Sequence, residues 1–205
     1  AALALALVPF LQGCFGAVAV GVSAGALMAA DRRLSEVYVT DQAIELRASG
    51  RINDTFGEKV HVNVTSYNRK VLLTGEVPDN ATRTEIEKLV SRVDSVLGAI
   101  NELRVAPISS FSDRSNDTYI TSKVKTRFVD KGFLANHVKV VTEARVVYLL
   151  GLVTKSEGDA AVAVARTTSD VAKVVRVFEY LPAEEAKRLD NRPPEQQPPT
   201  EQQTR

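Results

Sequence analysis

The sequence predicts an α+β protein in which one small unit, ordered α-β-β-α-β, occurs twice in tandem. The chain repeats itself at a constant offset, with His61-Val62-Asn63-Val64 over His137-Val138-Lys139-Val140, Asp41 over Asp117, Arg69 over Arg145 and Gly75 over Gly151. Within each copy, apolar residues first recur at helical spacing and then alternate at strand spacing. No segment between residues 40 and 181 breaks this order except a short Pro- and Ser-containing stretch around Pro107.

Each copy opens with a helical stripe, Ile44, Ala48 and Ile52 in the first and Ile120, Val124 and Phe128 in the second. Asp41 and Asp117 stand near the expected start of these helices, where a carboxylate suits the unpaired amides and the helix dipole. Val60, Val62 and Val64 alternate, and Val71 and Leu73 follow after Asn68 and Arg69, a β-hairpin signature that copy two answers with Val138, Val140, Val147 and Leu149. A second helix places Ile86, Leu89, Val90 and Val93 inward in copy one, and Ala161, Val164 and Ala165 in copy two. A Val-rich strand closes each copy, at 99–105 and 174–180. Towards the end the register slips by one, pairing Val96 with Val171 and Leu103 with Phe178. The copies therefore span 40–105 and 116–181, with a linker at 106–115, helices on one face of a three-stranded sheet, and a Pro/Gln-rich tail at 182–205 expected to be disordered.

The chain has 205 residues, 26 basic and 25 acidic, for a net charge of +1. That balance lacks the cationic excess of a nucleic-acid binder, so no nucleic-acid partner is expected. One cysteine, Cys14, excludes an intramolecular disulfide, a Cys-rich zinc site and a C-x-x-C redox pair.

The first thirty residues carry no charge, and an apolar run through Leu3, Leu5, Leu7, Val8, Phe10 and Leu11 ends in Gln12-Gly13-Cys14. This is similar to the h-region and lipobox of a bacterial lipoprotein signal peptide. On that reading, residues 1–13 are a signal-peptide remnant, Cys14 is lipidated after cleavage, and 14–39 form a tether. Phe15 follows Cys14 where an inner-membrane retention signal places Asp, which implies the outer membrane. The alternative is an uncleaved membrane helix, since thirty uncharged residues exceed the roughly 20 that span a bilayer. Pro9, Gly13, Gly16, Gly21 and Gly25 make such a helix a poor one.

No catalytic residue, metal site or cofactor is expected. His61 and His137 occupy equivalent strand positions, and an acidic neighbour such as Glu58 is not repeated, so the repeat alone accounts for them. There is neither a G-x-S-x-G elbow nor a glycine-rich phosphate loop.

Asymmetry between the copies points to a binding surface. From 40 to 54 the charges are Asp41, Glu45, Arg47, Arg51 and Asp54, one acid in excess. From 117 to 131 they are Asp117, Lys123, Lys125, Arg127, Asp130 and Lys131, two bases in excess. At about 100° per residue, Tyr119 lies off the core stripe of this second helix with Lys123 and Thr126, and Val129 is outside it too. An amphipathic aromatic beside cations suits a membrane surface, the ring at headgroup level and the cations at anionic lipid. The candidate phospholipid contacts are Tyr119, Ser122, Lys123, Lys125, Thr126, Arg127 and Val129. Packing of Tyr119 against the other domain, or a merely solvated basic face, fits the same residues.

The order of elements, the Val-x-Val strand, the Val-x-Leu-x-Gly strand ending at Gly75 and Gly151, and the closing Val-rich strand resemble the BON domain of bacterial osmotic-shock proteins and envelope lipoproteins. The resemblance covers both copies. It implies phospholipid binding, with anionic lipid such as phosphatidylglycerol held by the first helix of the second copy. With the lipobox it implies a lipid-anchored, non-enzymatic protein on the periplasmic face of the outer membrane, supporting envelope integrity. The rival expectation is an adaptor for a protein partner in cell-wall hydrolase regulation or outer-membrane assembly.

Overall fold

Alternation along two central strands decides the architecture. The computed structural model describes residues 31–130 and 137–192. Copy one comprises α1 (Ser35–Phe56), β1 (His61–Tyr67), β2 (Lys70–Val77), α2 (Asn80–Ser91), β3 (Gly98–Asn101) and β4 (Arg104–Val105). Copy two comprises α3 (Phe111–Asp130), β5 (Lys139–Glu143), β6 (Val146–Val153), α4 (Lys155–Arg166) and β7 (Lys173–Tyr180), and α5 (Ala183–Asp190) follows. In each sheet the middle strand pairs antiparallel with its hairpin partner and parallel with the closing strand, in the orders β1-β2-β3 and β5-β6-β7. In copy one the closing strand is interrupted, and β4 continues it along β2.

On β2, Val71, Leu73 and Val77 pack with Ile44, Ala48, Ile52, Ile86 and Val90 of the helices. On β6, Val147, Leu149 and Val153 pack with Ile120, Val124, Phe128, Ala161 and Ala165. The intervening residues face the other way. Leu72 and Tyr67 from copy one join Tyr148, Leu150 and Leu152 from copy two in a third buried cluster, so the sheets pack back to back with the helices outside.

Each hairpin turn is anchored by an aspartate from the first helix of its copy. Asn68 and Arg69, and Ala144 and Arg145, have positive φ (50°, 65°, 49° and 63°), the type I′ geometry that matches strand twist. The buried Asp41 carboxylate accepts from the amides of Asn68 (2.8 Å) and Arg69 (2.7 Å), and Asp117 accepts from those of Ala144 (2.7 Å) and Arg145 (2.8 Å). These aspartates are therefore turn anchors, not helix caps. Both helices begin about two turns earlier than their charge pattern suggests, α1 at Ser35 and α3 at Phe111. Gly75 is required for a separate reason: a Cβ there would lie 2.0 Å from the His61 carbonyl oxygen.

Three boundary expectations change. Residues 111–115 of the expected linker are helical, because Ser110 and Asp113 cap α3 reciprocally: Ser110 Oγ donates to Asp113 Oδ2 at 2.6 Å and accepts from the Asp113 amide at 3.1 Å. The one-residue slip falls between β2 and α2, where Pro78-Asp79 stands against Thr154 alone; Asp79 and Thr154 are the two N-caps. The expected tether and tail also meet. Arg32, 3% exposed, sends Nη1 and Nη2 to the two Glu157 oxygens at 2.7 Å each and Nε and Nη2 to Asp190 at 2.7 and 2.9 Å; Nη1 also donates to the Leu152 carbonyl at 2.9 Å. Asp190 ends α5, and Ala186 of that helix is buried. A short helix without a wide apolar stripe is thus held by one buried side and one ion cluster. Residues 1–30 and 193–205, including Cys14, lie outside the described residues.

Removing an anchor leaves turn amides without an acceptor. Asp117→Ala should cost about 1–3 kcal/mol in urea unfolding. Asp41→Ala should cost about 3–5 kcal/mol, because Asp41 also pairs with the buried Arg33 at 2.7 Å. Equal, negligible costs would contradict the turn-anchor role.

The Arg32 cluster adds a pH dependence. Its hydrogen bonds hold the Glu157 carboxyl down from 4.5 to about 2 and also depress Asp190. Depressed carboxylates contribute stability that is present above their ordinary range and lost as pH falls through the folded value. Thermal melts should therefore lose stability between about pH 4.5 and 2, and Arg32→Met should flatten that limb.

Candidate functional site

The site is the outer face of α3. Its core stripe is fixed inward by Ile120, Val124 and Phe128. The opposite face is therefore committed to solvent, and it is not polar: Tyr119 is 62% exposed, Val129 62% and Phe111 80%. Tyr119 packs neither against the first copy nor into its own core.

Five of the seven expected contacts converge. Tyr119, Ser122, Lys123, Thr126 and Arg127 line a shallow depression of about 520 Å³, closed on the far side by Thr167, Thr168 and Ser169 at the end of α4. Val129 stands exposed further along the helix. Lys125 stands exposed at the flank of this face, on the rim of a groove between the two copies that Arg114 also lines.

The cations are unequal in a way their spacing does not show. Lys123 pairs with Asp170 Oδ2 (2.5 Å), donates to Ser169 Oγ (3.0 Å) and lies 4.6 Å from the centre of the Tyr119 ring. Its hydrogen bond and charge hold the Asp170 carboxyl below the usual range. Arg127 donates to the Val164 carbonyl (3.0 Å), Thr168 Oγ1 (2.8 Å) and Thr167 Oγ1 (3.0 Å), so it caps the C-terminus of α4. Lys125 is exposed and has no ion pair among the described residues. Lys123 and Arg127 thus have structural partners, whereas Lys125 is available to an outside anion.

Phe111 was missed because the helix was expected to begin later; the Ser110-Phe111-Ser112-Asp113 capping box is the signal that finds it. The histidines acquire different partners. His61 Nδ1 lies 3.0 Å from Glu76 Oε2, and His137 Nε2 lies 3.4 Å from Asp190 Oδ1. Among the described residues, no helix is long and apolar enough to cross a membrane.

The sequence profile of the BON domain matches residues 40–107 and 116–182, one match for each copy. The chain belongs to the BON family. It is 38% identical over 175 residues to the outer membrane lipoprotein DolP of Haemophilus influenzae, covering 84% of this chain and 91% of that protein. It is 30% identical over 154 residues to a 21 kDa hemolysin of Actinobacillus pleuropneumoniae, covering 74% and 79%. The C-terminal domain of CdsD, a structural protein of the Chlamydia trachomatis type III secretion system, aligns over 67% of this chain and 97% of its own length with 12% identity and a TM-score of 0.28, a likeness too slight to inform the fold.

Within this BON tandem, Arg127→Ala should behave as a stability mutation. Loss of a charged donor to three acceptors is expected to cost about 1.5–3 kcal/mol in urea unfolding, with or without lipid. A variant as stable as wild type would return Arg127 to the set of available cations.

Proposed function

We propose that this chain is an outer-membrane lipoprotein, anchored through Cys14, whose second BON domain lays α3 on anionic phospholipid such as phosphatidylglycerol at the periplasmic face and so supports envelope integrity. It works by binding and localisation, without catalysis. The observation that carries this reading is the exposure of Tyr119, Phe111 and Val129 on a helix whose other face is core. The similarity to a protein named as an outer membrane lipoprotein supports the location. Acyl chains hold the protein at the surface, so the domain needs only a weak contact to orient itself there.

At an anionic surface each well-placed cation contributes about 1 kcal/mol. The availability of Lys125 and the pairing of Lys123 give this an unequal form. In co-sedimentation with vesicles containing phosphatidylglycerol, Lys125→Glu should weaken binding more than about fivefold, and Tyr119→Ser with Phe111→Ser should weaken it further. Asp170→Asn releases Lys123 and should strengthen binding. Equal binding to neutral vesicles, or no effect of these substitutions, would contradict the reading and assign the face to a protein partner, such as a cell-wall hydrolase regulator or an outer-membrane assembly factor.

A further inference from the structure

The contact between the two copies has two ends that the repeat makes equivalent, and their chemistry differs. At one end, Leu152 of copy two packs with Tyr67 of copy one, and His137 stands just before β5. The residues at the same repeat positions at the other end are His61 and Glu76 of copy one and Glu143 of copy two. An apolar leucine and an aromatic tyrosine are thus exchanged for two carboxylates. The fold does not demand the acids, since the opposite end closes without them.

Both carboxylates are buried, Glu76 at 0% and Glu143 at 4% exposure. Glu76 has a counter-charge, Arg104, whose Nη2 donates to Oε1 at 2.6 Å; its Oε2 accepts from the Ser109 amide at 3.1 Å and lies 3.0 Å from His61 Nδ1. Glu143 has none. Its Oε2 accepts from the neutral Asn63 amide at 2.7 Å, and among the described residues no donor reaches Oε1 and no cation pairs with the group. Beside them, Ser109 Oγ is buried without a hydrogen-bond partner. Burial without a counter-charge disfavours the charged carboxylate, and a bound cation at the groove would relieve that cost.

One ligand atom from each of His61, Glu76 and Glu143 lies within 4.8 Å of the others. Ligands of a tetrahedral ion stand about 3.4 Å apart when each is about 2.1 Å from it, so a modest inward turn of the side chains closes the set. His61, Asn63 and Glu143 also line the groove of about 610 Å³ between the copies, which gives an entry path and a place for water as a fourth ligand. One imidazole and two carboxylates are a donor set for a borderline divalent ion such as zinc, with Arg104 offsetting part of the Glu76 charge and Glu143 bringing an uncompensated one.

We propose that His61, Glu76 and Glu143 form a divalent transition-metal site, of the zinc class, that clamps the two domains together at the end of their interface opposite Arg32. In the metal-bound form His61 Nδ1 is the ligand and the ring proton resides on Nε2. The site escapes a search of sequence neighbours because Glu58, the nearby acid, is not part of it. Its members come from the paired strand and from the other domain.

The test is calorimetric titration of the EDTA-stripped full chain with zinc sulfate, followed in parallel by ¹H–¹⁵N spectra. The expected result is one saturable equivalent and shifted amides on both domains around residues 61–63, 76 and 143. Affinity should fall by well over the ~10-fold that even outer-shell substitutions cause in His61→Ala and Glu143→Gln. It should be unchanged in His137→Ala. Glu143→Gln keeps the shape and the Asn63 contact, and the wild-type spectra report the site without any substitution. Absence of a saturable equivalent, an effect of His137→Ala in place of His61→Ala, or magnesium binding as tightly as zinc would overturn the proposal.

Discussion

Leu72 and Tyr67 on the back of one sheet meet Tyr148, Leu150 and Leu152 on the back of the other, and this apolar contact determines which surfaces remain for function. Domains joined by a short linker move relative to each other unless the interface between them is substantial and hydrophobic. Here the central strands are buried on both faces, by helices in front and by the other domain behind. Glu45 with Lys139, Glu179 with Lys70 and Asn68, and Arg32 with Glu157 then fix the register at the rim. Because the sheets occupy each other, all four repeat helices face outward, and α3 becomes an exposed face of a two-domain body.

Duplication made the two domains alike in their cores and left their surfaces free to diverge. Helix α1 has exposed Val39 and Leu46, but its aromatics are partly buried, Tyr38 beneath Arg33 and Phe56 against the core, and its Glu45 is paired across the interface. Helix α3 has Phe111, Tyr119 and Val129 outward, with Lys125 at its flank. The same divergence acts within the interface, where one end is closed by Tyr67 and Leu152 and the other carries His61, Glu76 and Glu143.

Much of this was legible in the sequence because burial imposes periodicity. The Ile44 and Ile120 stripes, both hairpins and Gly75 follow from spacing alone. The back-to-back contact also had a signal, the unbroken apolar runs Val71-Leu72-Leu73 and Val146-Val147-Tyr148-Leu149-Leu150, which mark strands covered on both faces. Asp41 and Asp117 were harder, since a carboxylate near a helix start and one that anchors a distant turn look identical in one dimension. The partners of Lys123 and Arg127 could not be read at all: they come from the end of α4, brought near only by tertiary packing. Likewise α5 has almost no periodic signal, because a single buried alanine and the Arg32 cluster hold it.

The central claim is that α3, and not its repeat equivalent α1, meets the membrane. The chain contains no tryptophan, so a single introduced indole reports one position without background. Tyr119→Trp and Ala43→Trp occupy equivalent positions on the two helices. On adding vesicles containing phosphatidylglycerol, the emission of Tyr119→Trp should shift to the blue and be quenched by brominated lipid, while that of Ala43→Trp stays unchanged. Quenching at position 43 in place of 119, or at neither, would contradict the account.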